Sequence, residues 1–331
     1  MWINWNTRIK QHALLIRSGR SKAFSFDHDE FRQFFLGKAL AENMINDELT
    51  EVRSILRISS LSQQTADTVA SLLKQKSDDI SHAIRMLQGL CIKEGPVSII
   101  RENCGLLTIR LLDGFNADDT ILIENMAFPP DALHSRKIRN VSFKKSYFRA
   151  TGLRKSRLTD CLFISCIIER FAVDGEFSLN NVTVRDSMIE SILIGENEIF
   201  DPSDISVTLA NKGFVFTDED KNIAGHEPYK PDPDLILTEK ILRKFIRATQ
   251  IDENVFKVRL GNDKKHFFDN ILPTLLNTGI LADVPHPGEG KQRRFRLGVP
   301  MSRVNTALAN SEGRFDLFVR YFETQNQRQD I

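Results

Sequence analysis

The sequence predicts a multidomain α+β protein: an N-terminal α-helical region, a central right-handed β-solenoid, and a C-terminal unit of helices followed by a two-stranded hairpin. Three observations predict it. Apolar residues recur three and four apart up to residue 105, five apart through the middle, and then in two helical stripes ahead of two short apolar strands.

Residues 1–105 read as helical. The segments EVRSILRISSL, TADTVASLLKQK and ISHAIRMLQGLCIK each place their apolar residues on one stripe, and Gly95-Pro96 ends the last of them. No alternating strand pattern precedes Gly105. Near the start, FSFDHDEFRQFF opens a helix. Asp27 and Glu30 have the spacing of a capping box, and Phe31, Phe34 and Phe35 fall on one apolar face.

Residues 106–217 carry the strongest period. Ile123, Phe128, Leu133, Ile138, Phe143, Phe148, Leu153, Leu158, Phe163, Ile168 and Val173 are five apart without a break. A smaller residue stands two places before many of them: Val141, Ser146, Thr151, Ser156, Cys161 and Cys166. One extra residue shifts the frame before Leu179, Val184, Ile189, Ile194 and Ile199 continue it. A period of five suits neither helix nor strand. It suits a square tube with four five-residue sides per turn, one large side chain per side filling the bore. The stretch resembles the pentapeptide-repeat family, although that family's Asp or Asn before the large residue is mostly missing. Cys161 and Cys166 are then packing residues. The run Arg136 to Arg157 holds nine Lys and Arg and no acid. It reads either as a nucleic-acid patch or as a girdle of surface ion pairs between coils, Arg149 with Glu169 and Arg154 with Asp174. The second reading is preferred.

Residues 218–234, including TDEDKN and KPDPD, read as a linker. In 235–331, LTEKILRKFIRA is an amphipathic helix with Thr238 as its N-cap. DKKHFFDNILPTLLNTG is a second helix, opened by Asp263 and closed by Gly279, and ILADV and RRFRLGV form a hairpin. This order matches a winged-helix domain. From Leu235 to Ile331 there are 16 Lys and Arg against 11 Asp and Glu. Lys264 and Lys265 on the second helix, Lys291 near the hairpin tip, and Arg294 and Arg296 facing outward are the nucleic-acid-binding candidates. Winged helices also dock proteins, so DNA and protein partners both stay open.

The net charge of +1 marks no general polyanion binder. Four scattered cysteines make neither a disulfide scaffold nor a CxxC pair. HExxH, GxSxG and the deaminase pattern are absent, and no two histidines have metal-ligand spacing. No enzymatic site, metal or cofactor is expected in this chain. The N-terminus lacks a signal-peptide core and no 18-residue apolar stretch occurs, so a cytoplasmic protein with reduced thiols, away from membranes, is expected.

FSFDHDEFRQFFLGKALAE resembles the end of the winged-helix part of NACHT-type signalling NTPases of the STAND class, where a phenylalanine-rich strand runs into F-x-H and a helix of the form FFxAxxLAE. Members commonly carry C-terminal repeats. The resemblance implies that His28 approaches the β-phosphate of bound ADP and helps hold a resting state, a placement helped by the amides of the helix start. Arg32-Gln33 replaces the family's usual Gln-Glu, and no GxxxxGK[ST] is present. The chain is therefore expected to be the C-terminal, regulatory part of such a machine, with ADP or ATP bound only where another chain supplies the NTPase core. Prokaryotic antiviral defence is the setting the resemblance implies.

Overall fold

The computed structural model describes residues 15–17, 24–26, 29–76, 80–217, 232–246, 248–284 and 293–326. It begins with an antiparallel pair, β1 (Leu15–Arg17) and β2 (Phe24–Phe26), neither of which the apolar spacing signals. Five helices follow: Asp29–Ile45, Leu49–Leu56, Gln63–Lys76, Ile80–Ile92 and Ile99–Leu112. The first buries Gly37, Leu40, Ala41 and Met44. Phe34 and Phe35 are 46% and 41% exposed, so the apolar face expected of them lies a turn further along.

Helix Ile80–Ile92 stops just ahead of Gly95-Pro96 as expected, but the fifth helix runs from Ile99 to Leu112, past the expected end of the helical region at residue 105. Ser98 caps it by accepting from the Ile100 amide at 3.2 Å. It is buried almost all round, because one side meets the helical layer and the other the mouth of the solenoid. Gly105 permits that approach. A Cβ there would stand 2.1 Å from the carbonyl oxygen of Ala127.

The middle is a β-solenoid of about four turns. β3 (Ile121–Glu124), β5 (Lys137–Lys144), β8 (Arg157–Ile164), β11 (Ser178–Arg185) and β15 (Phe214–Thr217) form one parallel sheet. β4 (Ala127–Phe128), β6 (Tyr147–Phe148), β9 (Ile167–Ile168) and β12 (Met188–Ile189) form a second. β7 (Thr151–Gly152), β10 (Phe171–Ala172) and β13 (Ile192–Ile194) form a third, closed by β14 (Asn197–Ile199) turning back antiparallel. Phe143 pairs with Phe163, and Phe163 with Val184. The frame shift expected from the sequence is thus a lengthening of one coil by one residue.

All eleven large residues from Ile123 to Val173 are buried. Leu179, Ile189, Ile194 and Ile199 are only partly so, where the tube runs out. Phe128 stacks on Phe148 with centroids 4.4 Å apart and Phe143 on Phe163 at 5.2 Å. Two residues after most plugs the backbone turns a corner with positive φ: Asn125, Ser135, Asn140, Lys145, Lys155, Asp160, Ser165, Gly175, Asn181 and Asp186. The small inward residues satisfy carbonyls of the preceding coil. Ser156 Oγ donates to Leu133 O at 2.5 Å, and Cys166 Sγ to Phe143 O at 3.3 Å. Helix Pro202–Asn211, capped by Asp201, packs Ile205 and Leu209 into the far end of the same core.

The terminal unit has its own core, built on Phe256, Phe267, Leu272, Phe295 and Phe318. Its first helix is Pro233–Leu242, with Asp232 as N-cap accepting from the Asp234 amide at 3.0 Å. The expected cap, Thr238, is instead buried within it and bonds back to Asp234 O, so residues 232–234 belong to this helix and not to a linker. Then come β16 (Ile251–Asp252), helix Glu253–Leu260, and a helical run Lys264–His266, Phe267–Ile271 and Leu272–Asn277. The middle piece is a π-turn. Pro273 offers no N–H and its ring crowds the carbonyl of Asp269, and the wider turn relieves both. β17 (Leu281–Val284) and β18 (Arg294–Leu297) make the expected antiparallel pair, with β16 added to give the order β16–β18–β17. Helices Met301–Ala309 and Phe315–Asn326 close the described chain.

Candidate functional site

The solenoid and the terminal unit meet across a buried charge cluster. Phe148 pairs with Ile168 and Ile168 with Ile189. The residues that follow them, Arg149, Glu169 and Glu190, therefore form an outward column on successive coils, roughly 4.8 Å apart as neighbouring strands are. Helix Pro233–Leu242 brings Lys240 to Glu190, Nζ to Oε2 at 2.5 Å. Helix Glu253–Leu260 brings the Arg259 guanidinium against Glu169. Glu169 is only 4% exposed.

These carboxylates titrate against opposing influences. Burial, then the neighbouring Glu190, push the Glu169 carboxyl up to about 8 against the pull of Lys244, Arg243 and Lys240. Burial raises Glu190 too, against the pull of Lys240. Burial brings the Arg259 guanidinium down to about 10. Carboxylates one coil apart repel, so the cations of the terminal unit hold both in place.

Arg243, just after the helix, joins three regions. Its Nη1 donates to Pro96 O at 2.7 Å, its Nη2 to Glu239 Oε2 at 3.2 Å, and its guanidinium lies over the Tyr147 ring. Beside it, Val97 N donates to Asn305 Oδ1 at 3.0 Å and Asn305 Nδ2 donates to Val97 O at 2.8 Å. A cavity of about 120 Å³ bounded by Tyr147, Glu190, Lys240, Arg243 and Ser311 remains between the parts. That is below the roughly 300 Å³ at which small-molecule sites begin, so the region is a joint.

The candidates from the sequence lie elsewhere or are already engaged. His28 and Lys291 lie outside the described residues. Lys264, Lys265 and Arg296 are exposed. Arg294 faces outward from β18, but its Nε donates to Asp252 Oδ1 at 2.5 Å on the neighbouring strand. His266, beside the two lysines, is held by Asp234 at 2.7 Å and by Asn270 at 2.9 Å. The expected surface pairing of Arg149 with Glu169 is corrected on one point: the column is there, but it is covered. Arg149 lies 3.6 Å from Glu102 of helix Ile99–Leu112, and Glu169 is taken by Arg259. The sequence set Glu169 one coil after Arg149. It singled out neither Glu190 nor the burial of both acids under a distant segment.

Among the described residues, no group of His, Cys, Asp and Glu is arranged to hold a metal ion, and no helix is long and apolar enough to cross a membrane. Compared with known proteins, the chain matches no family model, no curated protein and no solved structure.

Proposed function

We propose that the chain is the non-catalytic sensor and regulatory portion of a NACHT-like signalling NTPase, working in the cytoplasm and recognising a protein or other ligand through its solenoid and terminal unit. The observation that carries the reading is the three-way joint at Arg243. It ties Pro96 of the helical region, Tyr147 of the solenoid and the terminal unit into one polar junction, so a ligand that shifts either end strains the other. The order of helices, solenoid and terminal unit agrees with it, and antiviral defence is the setting the resemblance offers.

The test supplies a P-loop ATPase core, as the preceding part of the same polypeptide or as a neighbouring gene product, and follows release of labelled ADP. The chain should co-elute with the core and slow release, and His28→Ala should restore fast release. Separate migration on gel filtration, with release unchanged, would remove the proposal.

A second reading is a DNA-binding regulator that uses the terminal unit as a winged helix. What supports it is the succession helix, strand, helix, helix, strand, strand with a three-stranded sheet, together with exposed Lys264, Lys265 and Arg296. The Arg294–Asp252 pair weighs against Arg294 as a phosphate contact. Replacing Lys264, Lys265 and Arg296 by Ala should lower duplex affinity and flatten its salt dependence; equal binding before and after would end this reading.

A further inference from the structure

Lys240, Arg243, Lys244 and Arg259 come from one helix, the turn after it, and the next helix of the terminal unit, and all act on the solenoid's two carboxylates. The acids that accompany them are Glu239, paired with Arg243, and Asp263, whose charge acts on Glu190. Asp263 sets the rim of the cluster, and exposed Lys264 and Lys265 continue directly from it. The terminal unit thus gathers six cations on and beside one face, of which Lys240 and Arg259 are paired directly with Glu190 and Glu169. The two bodies have separate apolar cores, Val97 being the helical-side residue packed into the terminal one. Charge and hydrogen bonds hold them together more than shared apolar burial.

We infer that this docking is autoinhibitory: the solenoid's Glu169 and Glu190 occupy a cationic face that, once undocked, takes the phosphate backbone of a nucleic-acid duplex. Lys240 and Arg259, each already holding one carboxylate, are equally suited to phosphate oxygens, which Arg and Lys bind through the same N–H donors. The inference rests on the polyanion-binding reading of the terminal unit, and goes beyond it by naming a covered second face and what covers it.

The test is fluorescence anisotropy of the full chain with a short labelled DNA duplex at fixed salt. Glu169→Ala/Glu190→Ala should bind about tenfold or more tightly than the parent chain, and adding Lys240→Ala/Arg259→Ala should cancel the gain. Asp174→Ala/Glu176→Ala removes the same charge from exposed solenoid positions and should change little. An equal gain in that control, or a gain that survives loss of Lys240 and Arg259, overturns the inference. In the unmutated chain, acetylation of Lys240 followed by mass spectrometry should rise with salt as the clasp opens, which keeps the test decisive if the carboxylate variant fails to fold; Lys240 still protected at high salt also overturns it. Binding that ignores Glu169 and Glu190 yet is lost with Lys264, Lys265 and Arg296 leaves the second reading standing and this inference gone. No binding by any variant removes both.

Discussion

The Arg243 guanidinium carbon sits 3.8 Å from the centre of the Tyr147 ring, stacking a buried cation of the terminal unit on the solenoid. The planar group does two jobs at once, covering the ring and donating edgewise to Pro96 O and Glu239. Lysine offers a point charge and cannot do both. Arg243→Lys should cost about 2 kcal/mol, combining a lost stacking contact with a buried carbonyl left unpaired. Thermal unfolding reads this as a lower midpoint. An unchanged midpoint would mean the joint contributes nothing to stability.

Gly105 faces backbone, not a flexible side chain, so nothing nearby can move aside cheaply. Gly105→Ala should destabilise by about 1–3 kcal/mol, the usual cost of overpacking, despite alanine's better helix propensity. Gly89, exposed on helix Ile80–Ile92 with open space at its Cβ position, makes the contrast. Gly89→Ala should stabilise by up to about 1 kcal/mol. Denaturant midpoints that move the same way for both would contradict the tight seating of helix Ile99–Leu112 on β4.

The plugs were legible because five-residue spacing is a covalent fact of the chain, and burial of every large residue from Ile123 to Val173 follows from it. The corners were not. Lys145, Lys155 and Ser165 carry weak turn signals, and their left-handed backbone is imposed by closure of the coil. β16 escaped notice because a two-residue strand has no period to read. Thr238 looked like a cap for the opposite reason, since an apolar stripe beginning there hid the earlier start at Asp232-Pro233. The charge column at 149, 169 and 190 was legible only in its first two members. Register placed it on one side, but only contact between distant segments decided that it is covered and who its partners are.

That covering changes what Arg149 should do. As a surface residue its loss would be nearly silent; with its side chain 12% exposed beside Glu102 at 3%, it neutralises a buried carboxylate. Arg149→Ala should cost about 3 kcal/mol, as breaking a buried pair does. Arg139→Ala, at an exposed position of the same girdle, should stay within about 0.5 kcal/mol. Equal, small effects for both would return Arg149 to the surface.

The ring of Phe148 lies between Phe128, Phe143 and Phe163 at 4.4, 5.3 and 5.6 Å, so Phe148→Asp should cost several kcal/mol and unfold the solenoid. The cysteines report that event chemically. All four are buried free thiols, and burial pushes Cys161 and Cys166 up to about 12. Thiolate is the reactive form, so at pH 8 a disulfide reagent should label none of the four in the native chain and all four in denaturant. In Phe148→Asp, Cys161 and Cys166 should label without denaturant, because each donates to a carbonyl of the preceding coil and is exposed when coils part. Rapid labelling of these two in the unmutated chain would place them outside the tube and break the inward pattern on which the coil depends.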